Sequence, residues 1–251
     1  MTTINVSVNV DEAVKRLGFV RKQIPFITSL SLNRTGQKVK AKEEHEIRDV
    51  FDRPTPFIQN SIFLKPSNKT NLTALVGIKD FASKSVPATK ILEAEIKGGS
   101  RRLKRYEIAL RRVGALPNGY YTVPGAAAQI DQYGNIARKH ITQILAYFKA
   151  FPEAGYKANS TERSRARLKR GTKKKLGVSY FVGRPGDGKS PLGIWMRIHS
   201  SFGSAIKPVL IFIKSAQYQS VFDFKFVAEN TVKKEFNGEF ERTYREVLGD
   251  K

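Results

Sequence analysis

The sequence contains no cysteine, which excludes disulfide bonds and thiolate metal sites and leaves the redox compartment open. It also lacks an apolar run long enough to cross a bilayer, since its longest strongly apolar stretch is V-L-I-F-I at 209–213. Its first residues, M-T-T-I-N-V-S-V-N-V-D-E, show neither the basic nor the apolar region of a signal peptide. We therefore expect a soluble chain that is not exported and has no membrane span.

Acidic residues are scarce. The 251 residues include 22 Asp and Glu against 45 Lys and Arg, which gives a formal net charge of +23. Such an excess of cations attracts polyanions, although many assembly proteins are equally basic without reading any nucleic-acid sequence. The chain is nevertheless 40% hydrophobic, with 16 Phe and 9 Tyr, and this composition predicts a folded core and excludes a disordered protein.

The first third of the chain predicts a strand followed by helices. Apolar residues alternate with polar ones over residues 4–10, as in a half-buried strand. Asp11 is placed to cap a helix, and Pro25 suits the first turn of a second helix that runs to about Phe51. The middle of this long helix is polar enough to be exposed or to lie against another subunit.

The remainder alternates between strand and helix patterns. Strands are expected at 61–66 and 71–79, and helical spacing returns over 88–112 with an interruption at Gly98-Gly99-Ser100. A loop-rich stretch at 115–125 leads to a helix near 134–150. Three further strands and a C-terminal helix are expected, at 176–183, 192–199, 208–214 and from about Val221.

These elements predict one α+β domain that spans residues 1–251. It has an antiparallel sheet packed with long helices, among them a long N-terminal helix and a long amphipathic C-terminal helix. The C-terminal helix is indicated by an apolar residue at every fourth position, namely Val232, Phe236, Phe240, Tyr244 and Leu248. Residues 157–175 form a basic insertion within this domain.

A phosphate-binding motif occurs at residues 183–190, where G-R-P-G-D-G-K-S satisfies the pattern G-x-x-x-x-G-K-[ST]. A working P-loop opens directly into a helix, whose N-terminal amides hold the phosphates. Here Leu192–Ile198 favours a strand, and the strand at 208–214 ends in Lys214-Ser215 without an acid for magnesium. We therefore interpret the motif as a hairpin turn, and we expect a strand to begin within a few residues of Ser190.

No catalytic or metal-binding constellation is predicted, and the chain is expected to be neither an enzyme nor the carrier of a cofactor. His45, His140 and His199 fall in three separate elements without metal-ligand spacing. The carboxylate pairs Glu43-Glu44 and Glu93 with Glu95 are typical of solvated helix faces, where they would pair with neighbouring Lys and Arg.

The basic insertion holds nine Lys or Arg residues against one Glu. With a single Leu and no aromatic residue it is not expected to fold on itself, and we predict that it is mobile until bound. Its cations are candidate contacts either for nucleic-acid phosphates or for an acidic protein surface. The candidate residues are Arg163, Arg165, Arg167, Lys169, Arg170, Lys173, Lys174 and Lys175.

Several stretches resemble one group of tailed-bacteriophage structural proteins. They are I-P-F-I-T-S-L-S-L-N-R-T-G at 24–36, F-D-R-P-T-P-F at 51–57, L-P-N-G-Y-Y-T-V-P-G-A-A-A-Q-I-D-Q-Y-G-N-I at 116–136 and P-V-L-I-F-I-K-S-A-Q-Y-Q-S-V-F-D-F at 208–224. The chain is similar to the minor tail protein Z or tail-completion family and is longer than its simplest members, with added material in the middle.

The resemblance implies a structural subunit of the virion neck or tail, made in the host cytoplasm, that acts by assembly. It implies a homo-oligomer with other tail, neck or portal-proximal proteins as partners, and possible contact of the basic segment with packaged DNA. It carries no catalytic residues onto this chain. The alternative is a non-specific nucleic-acid-binding protein that acts through its basic segments.

Overall fold

The computed structural model describes residues 10–83, 85–152 and 158–249. Contacts divide the chain into two compact units, Met1–Leu92 with Val221–Lys251, and Glu93–Ser220, each as far as its residues are described. Both units combine helices with antiparallel strands, which confirms the predicted α+β class. The single domain over the whole chain stays a prediction. Of the strand expected at 4–10, all but the last residue lies outside the described residues.

The first unit is built on α1, a helix of 41 residues, Val10–Val50. Its buried apolar residues include Ile27, Val39 and Ile47. The predicted long N-terminal helix is confirmed.

Two details of the α1 prediction are wrong, because Asp11 lies inside the helix and Pro25 does not begin a second one. A proline inside a helix removes the hydrogen bond of its own nitrogen to the carbonyl four residues earlier, and its ring crowds that carbonyl. Arg21, which carries that carbonyl, and the following Lys22 are exposed, so water can donate to the freed oxygen.

Helix α7, Phe224–Leu248, runs antiparallel to α1 and is capped by Asp223, whose side chain accepts from the Phe226 nitrogen at 3.0 Å. The rings of Phe51 and Phe222 meet edge-on at 5.9 Å between centroids. Towards the other end, Lys38 pairs with Glu239 at 2.7 Å and Arg34 with Glu246 at 2.7 Å. The predicted C-terminal helix is confirmed.

The face that α7 buries differs from its apolar stripe. Glu239 and Thr243 are buried, whereas Val232 and Tyr244 from the stripe are exposed. The reason is that α1 offers polar partners at this level. The Lys38 ammonium holds the Glu239 carboxylate, and the Arg34 guanidinium donates to the Thr243 hydroxyl at 3.1 Å.

The short helix α2, Pro56–Gln59, precedes an antiparallel hairpin of strands β1, Ile62–Lys65, and β2, Leu75–Ile78. Both strands confirm the predictions. In the connection, the Asn68 side chain accepts from the backbone nitrogens of Thr70 and Asn71 at 2.9 and 2.6 Å, so the turn closes on itself. The Ser67 hydroxyl donates to the carbonyl of Ser29 in α1 at 3.0 Å and attaches the hairpin to that helix.

Helix α3, Ala88–Lys97, spans the division between the units and ends at the predicted interruption. Gly98 and Gly99 have φ of 73° and 96°, a region that L-residues with side chains rarely adopt. Strand β3, Gly99–Ser100, follows, and within the second unit it pairs with β8, Gln217–Tyr218.

The second unit contains a four-stranded antiparallel sheet in the order β4-β7-β6-β5. Strands β5, β6 and β7 confirm the predictions; β4 was expected to be loop. It is too short, and too closely flanked by Pro and Gly, to show an alternating pattern. The strands are β4, Tyr121–Pro124; β5, Gly177–Gly183; β6, Gly193–Ser200; and β7, Gly203–Ile213.

Helices α4, Arg105–Arg112, α5, Arg138–Tyr147, and α6, Glu162–Arg170, complete the second unit. The helix predicted near 134–150 is thus present in shorter form. The core of this unit joins buried side chains of α4 and α5 to those of the sheet. Among its buried members are Leu110, Leu116, Ile144, Ile194 and Leu210.

Candidate functional site

The stretch with the P-loop pattern is the turn between two strands. Strand β5 ends at Gly183 and β6 begins at Gly193, three residues after Ser190, which confirms the predicted strand. Gly186, Asp187 and Gly188 have φ of 71°, 54° and 82°, the left-handed conformations of a tight turn. Because a strand follows, the helix N-terminus that would hold a phosphate is not there.

The three histidines lie in separate elements. His45 pairs with Asp49 on α1 at 2.7 Å, and His199 shares a hydrogen bond with Ser179 at 3.0 Å. His140 is buried; its Nδ1 accepts from the Gln129 nitrogen at 3.0 Å, and burial lowers its pKa. Among the described residues, no three His, Asp or Glu side chains are grouped to hold a metal ion.

The basic insertion contains a capped helix, α6, that was not predicted from the sequence. The Thr161 hydroxyl accepts from the Ser164 nitrogen at 3.1 Å at its start, and Gly171, with φ of 74°, ends it. Leu168 packs against the core of the second unit. The sequence does contain signals for this helix, namely the capping residue Thr161, the acidic Glu162 after it and Gly171 at its end. In the prediction, the low apolar content of the segment outweighed them. Mobility of the insertion stays a prediction.

Seven of the eight candidate cations in the insertion are exposed, and Arg165 is half-buried. The Arg165 guanidinium lies over the Tyr147 ring, 5.1 Å from its centroid, and donates to the Tyr147 carbonyl oxygen. It therefore anchors α6 to α5 and is a structural contact. The other seven do not serve as this anchor between α6 and α5. Among them, Arg163, Arg167 and Arg170 follow each other at helical spacing along α6.

The expectation of solvated carboxylates is right for Glu44 and Glu93 and wrong for Glu43. Glu44 pairs with Lys40 at 3.7 Å, and Glu93 pairs with Lys97 at 3.4 Å and with Arg102 at 3.2 Å. Glu43 is fully buried, and neither of its carboxylate oxygens has a hydrogen-bond partner. It falls midway between Val39 and Ile47, four residues from each, and this spacing was the signal for its burial.

Burial, together with the nearby negative groups Glu46 and Asp223, raises the pKa of Glu43 to about 8. The side chain is therefore a neutral acid at neutral pH. Glu95 is half-buried, and desolvation raises its pKa as well.

A buried ionic cluster surrounds Glu107, which is fully buried on α4. Arg101 donates to both of its oxygens at 2.8 and 2.7 Å. Thr122 on β4 donates through its backbone nitrogen and its hydroxyl at 2.7 and 2.8 Å, and the backbone nitrogen of Lys104 donates at 2.7 Å. Burial alone would raise the pKa of Glu107, but these bonds outweigh it and lower that pKa. The sequence did not predict this cluster, since Thr122 on β4 lies fifteen residues after Glu107 along the chain.

The beginning of α1 presents apolar side chains to solvent. We call residues 10–24 the overhang. Leu17, Phe19 and Ile24 in it are 69%, 54% and 38% exposed. Arg34 pairs with Glu246, two residues before α7 ends, so the overhang extends past the end of α7.

Within the described residues, no helix combines the length and the apolar content that a membrane crossing requires. No family model, curated protein or solved structure matches the chain.

Proposed function

We propose that this chain is a structural protein of a tailed-bacteriophage virion that assembles with copies of itself into a symmetric oligomer in the neck or tail. The observation that carries the proposal is the overhang of α1, a helical segment in which the side chains of Leu17, Phe19 and Ile24 are exposed to solvent. Exposed Leu and Phe side chains on a helix are typical of surfaces that another protein covers. The sequence resemblance to the tail-completion family supports a virion role.

A test of assembly compares the wild-type chain with a Leu17→Ser, Phe19→Ser double variant. We expect the wild type to form one closed oligomer and the variant to dissociate to monomer, because burying two such side chains contributes about 3–5 kcal/mol per contact. Light scattering after size exclusion gives the mass, and circular dichroism shows that the helices remain.

Leu75→Ser is the matched control, because Leu75 is 51% exposed in the β1–β2 hairpin of the same unit. It is expected to leave the oligomer intact. A wild-type chain that stays monomeric at every concentration, or a double variant that assembles as the wild type does, contradicts the proposal.

A second candidate function is non-specific binding of nucleic acid, which the exposed cations of α6 favour. Arg163, Arg167 and Arg170 lie at helical spacing, and Lys173, Lys174 and Lys175 follow in a turn closed by a hydrogen bond from the Thr172 nitrogen to the Lys175 carbonyl at 2.8 Å. A fixed row of exposed cations grips phosphates without reading bases. Packaged DNA offers such phosphates.

Duplex DNA binding by fluorescence anisotropy over a series of salt concentrations tests this candidate. We expect substitution of Arg163, Arg167 and Arg170 by Gln to weaken binding and to reduce the salt slope by about 2–3, one unit for each lost phosphate contact. The control removes the same charge from exposed positions of α7, with Lys225, Lys233 and Lys234 changed to Gln. Equal losses in the two triple variants would show that charge alone, and no surface of α6, is responsible.

A further inference from the structure

Three chain segments meet at one end of the four-stranded sheet, where β5 and β7 begin and β6 ends. The strand pairing brings them together, since His199 near the end of β6 lies opposite Gly177 at the start of β5. Helix α6 ends at the same place, because a Cβ atom on Gly177 would meet the Lys169 carbonyl oxygen. We call residues 169–177 together with residues 199–204 the sheet end.

An aromatic side chain lies at the tip of the β6–β7 hairpin within the sheet end. Ser200 and Gly203 form the last pair of the two strands, and Phe202 in the turn between them is 100% exposed. Leu176, directly before β5, is 61% exposed. Phe202 gains nothing from burial within the described part of its own chain, so its ring is available to a partner.

Cations surround these two apolar side chains. The exposed cations of the sheet end are Lys169, Arg170, Lys173, Lys174 and Lys175. Residues 163–222 contain 13 Lys and Arg against one acidic residue, Asp187, which lies in the turn at the opposite end of the sheet. The sheet end therefore complements a polyanion in charge.

We propose that Phe202 is a wedge that enters between two base pairs of duplex DNA while the surrounding cations hold the phosphates. Architectural proteins insert apolar side chains between base steps in this way, and the contacts that the bent duplex permits offset the cost of unstacking. The inference rests on the second candidate function, nucleic-acid binding, and adds a deformation of the duplex that charge alone does not produce. It does not depend on the oligomer.

The form of the surface favours a duplex over an anionic membrane, which also attracts lysines beside an exposed aromatic ring. Binding to a membrane surface scales with the apolar area that enters it, and the sheet end offers one Phe and one Leu. The exposed cations continue from the sheet end along α6, where the row from Arg163 to Arg170 spans about 10 Å at ~1.5 Å per residue. A duplex carries one negative charge per about 1.7 Å of its axis and so supplies phosphates to the whole row.

The test for the wedge uses the full-length chain and a short duplex that carries 2-aminopurine at a single central pyrimidine–purine step, because such steps unstack most easily. Fluorescence of 2-aminopurine rises when the base is unstacked, and we expect the wild type to raise it. Phe202→Ala is expected to bind the duplex but to lose this rise, whereas Phe202→Trp keeps an aromatic ring and retains it. Phe81→Ala is the matched control, because Phe81 is 83% exposed in the first unit.

A triple variant tests the cations of the sheet end. Changing Lys173, Lys174 and Lys175 to Gln is expected to weaken duplex binding and to reduce its salt slope by about 2–3. The control removes the same charge at the opposite end of the sheet, where Arg184, Lys189 and Lys214 are exposed. Equal losses in the two triple variants would contradict docking at the sheet end.

The outcomes separate this inference from the proposed functions. A wild type that binds the duplex without a rise in fluorescence, or a Phe202→Ala variant that raises it equally, overturns the wedge and leaves the second candidate function standing. A wild type that does not bind the duplex overturns both and leaves the assembly proposal untouched. Dissociation of the oligomer in Phe202→Ala, or a blue shift of Phe202→Trp emission on anionic vesicles but not on the duplex, identifies a protein or lipid partner and also overturns the inference.

Discussion

Replacement of Arg101 by Met is expected to lower the free energy of unfolding of the second unit by about 3–5 kcal/mol, the usual cost when one partner of a buried ion pair is removed. Glu107 would keep its buried position and its bonds from Thr122 and Lys104, but would lose the charge that balances it. The packing of α4 against β4 depends on that carboxylate, because Glu107 on α4 bonds both the nitrogen and the hydroxyl of Thr122 on β4.

Urea unfolding followed by circular dichroism measures the effect. Arg112→Met is the matched control, because Arg112 is an exposed arginine on α4, the helix that carries Glu107. The control is expected to change stability by less than about 0.5 kcal/mol. If the two variants unfold at the same urea concentration, the cluster around Glu107 does not stabilise the unit.

The same cluster gives a pH dependence of known sign. The pKa of Glu107 is lower in the folded chain than in the unfolded chain. Its contribution is therefore present above the unfolded pKa and is lost as pH falls through the folded pKa. The second unit should lose stability in acid, and Arg101→Met should flatten that loss.

Glu43→Gln is expected to raise the stability of the first unit at alkaline pH and to change it little in acid. The pKa of Glu43 is raised from 4.5 to about 8 in the folded chain, so its folded form holds a proton that the unfolded form has released. The stability that the neutral acid contributes is complete below the unfolded pKa and is lost as pH rises towards the folded one. At ~1.4 kcal/mol per pKa unit, the difference between variant and wild type amounts to a few kcal/mol at pH 9.

Urea titrations at pH 5 and pH 9 measure this difference. Glu44→Gln is the control, since the neighbouring Glu44 side chain is partly exposed and paired with Lys40. The groups that face Glu43 with negative charge, Glu46 and Asp223, stay in place in both variants. A wild-type chain whose stability does not fall between these pH values would show that Glu43 is solvated, as its sequence context implies.

The sequence predicted elements well wherever neighbours along the chain determine them. The alternating residues of β5 and β6 and the glycines at 98 and 99 act through local geometry, and their outcomes agree with the predictions. Pro25 shows the limit, because the sequence predicted that it begins a second helix, whereas it lies inside the continuous helix α1.

The interaction surfaces were less predictable than the elements. Glu43 stands in a run of charged residues, and that context outweighed the signal of its four-residue spacing from the buried Val39 and Ile47. The partners of Glu107 include Thr122, fifteen positions later on β4, and no local pattern of the sequence brings these two residues together. The contact between α1 and α7 joins residues almost two hundred positions apart along the chain, as the pairing of Lys38 with Glu235 shows.

A reconstruction of the phage particle whose genome encodes the chain tests the proposed assembly role most directly. We expect a ring of copies at the neck or tail, with residues 10–24 of each α1 covered by its neighbour. A complete particle that lacks the chain, or a ring in which Leu17 and Phe19 remain in solvent, would contradict it.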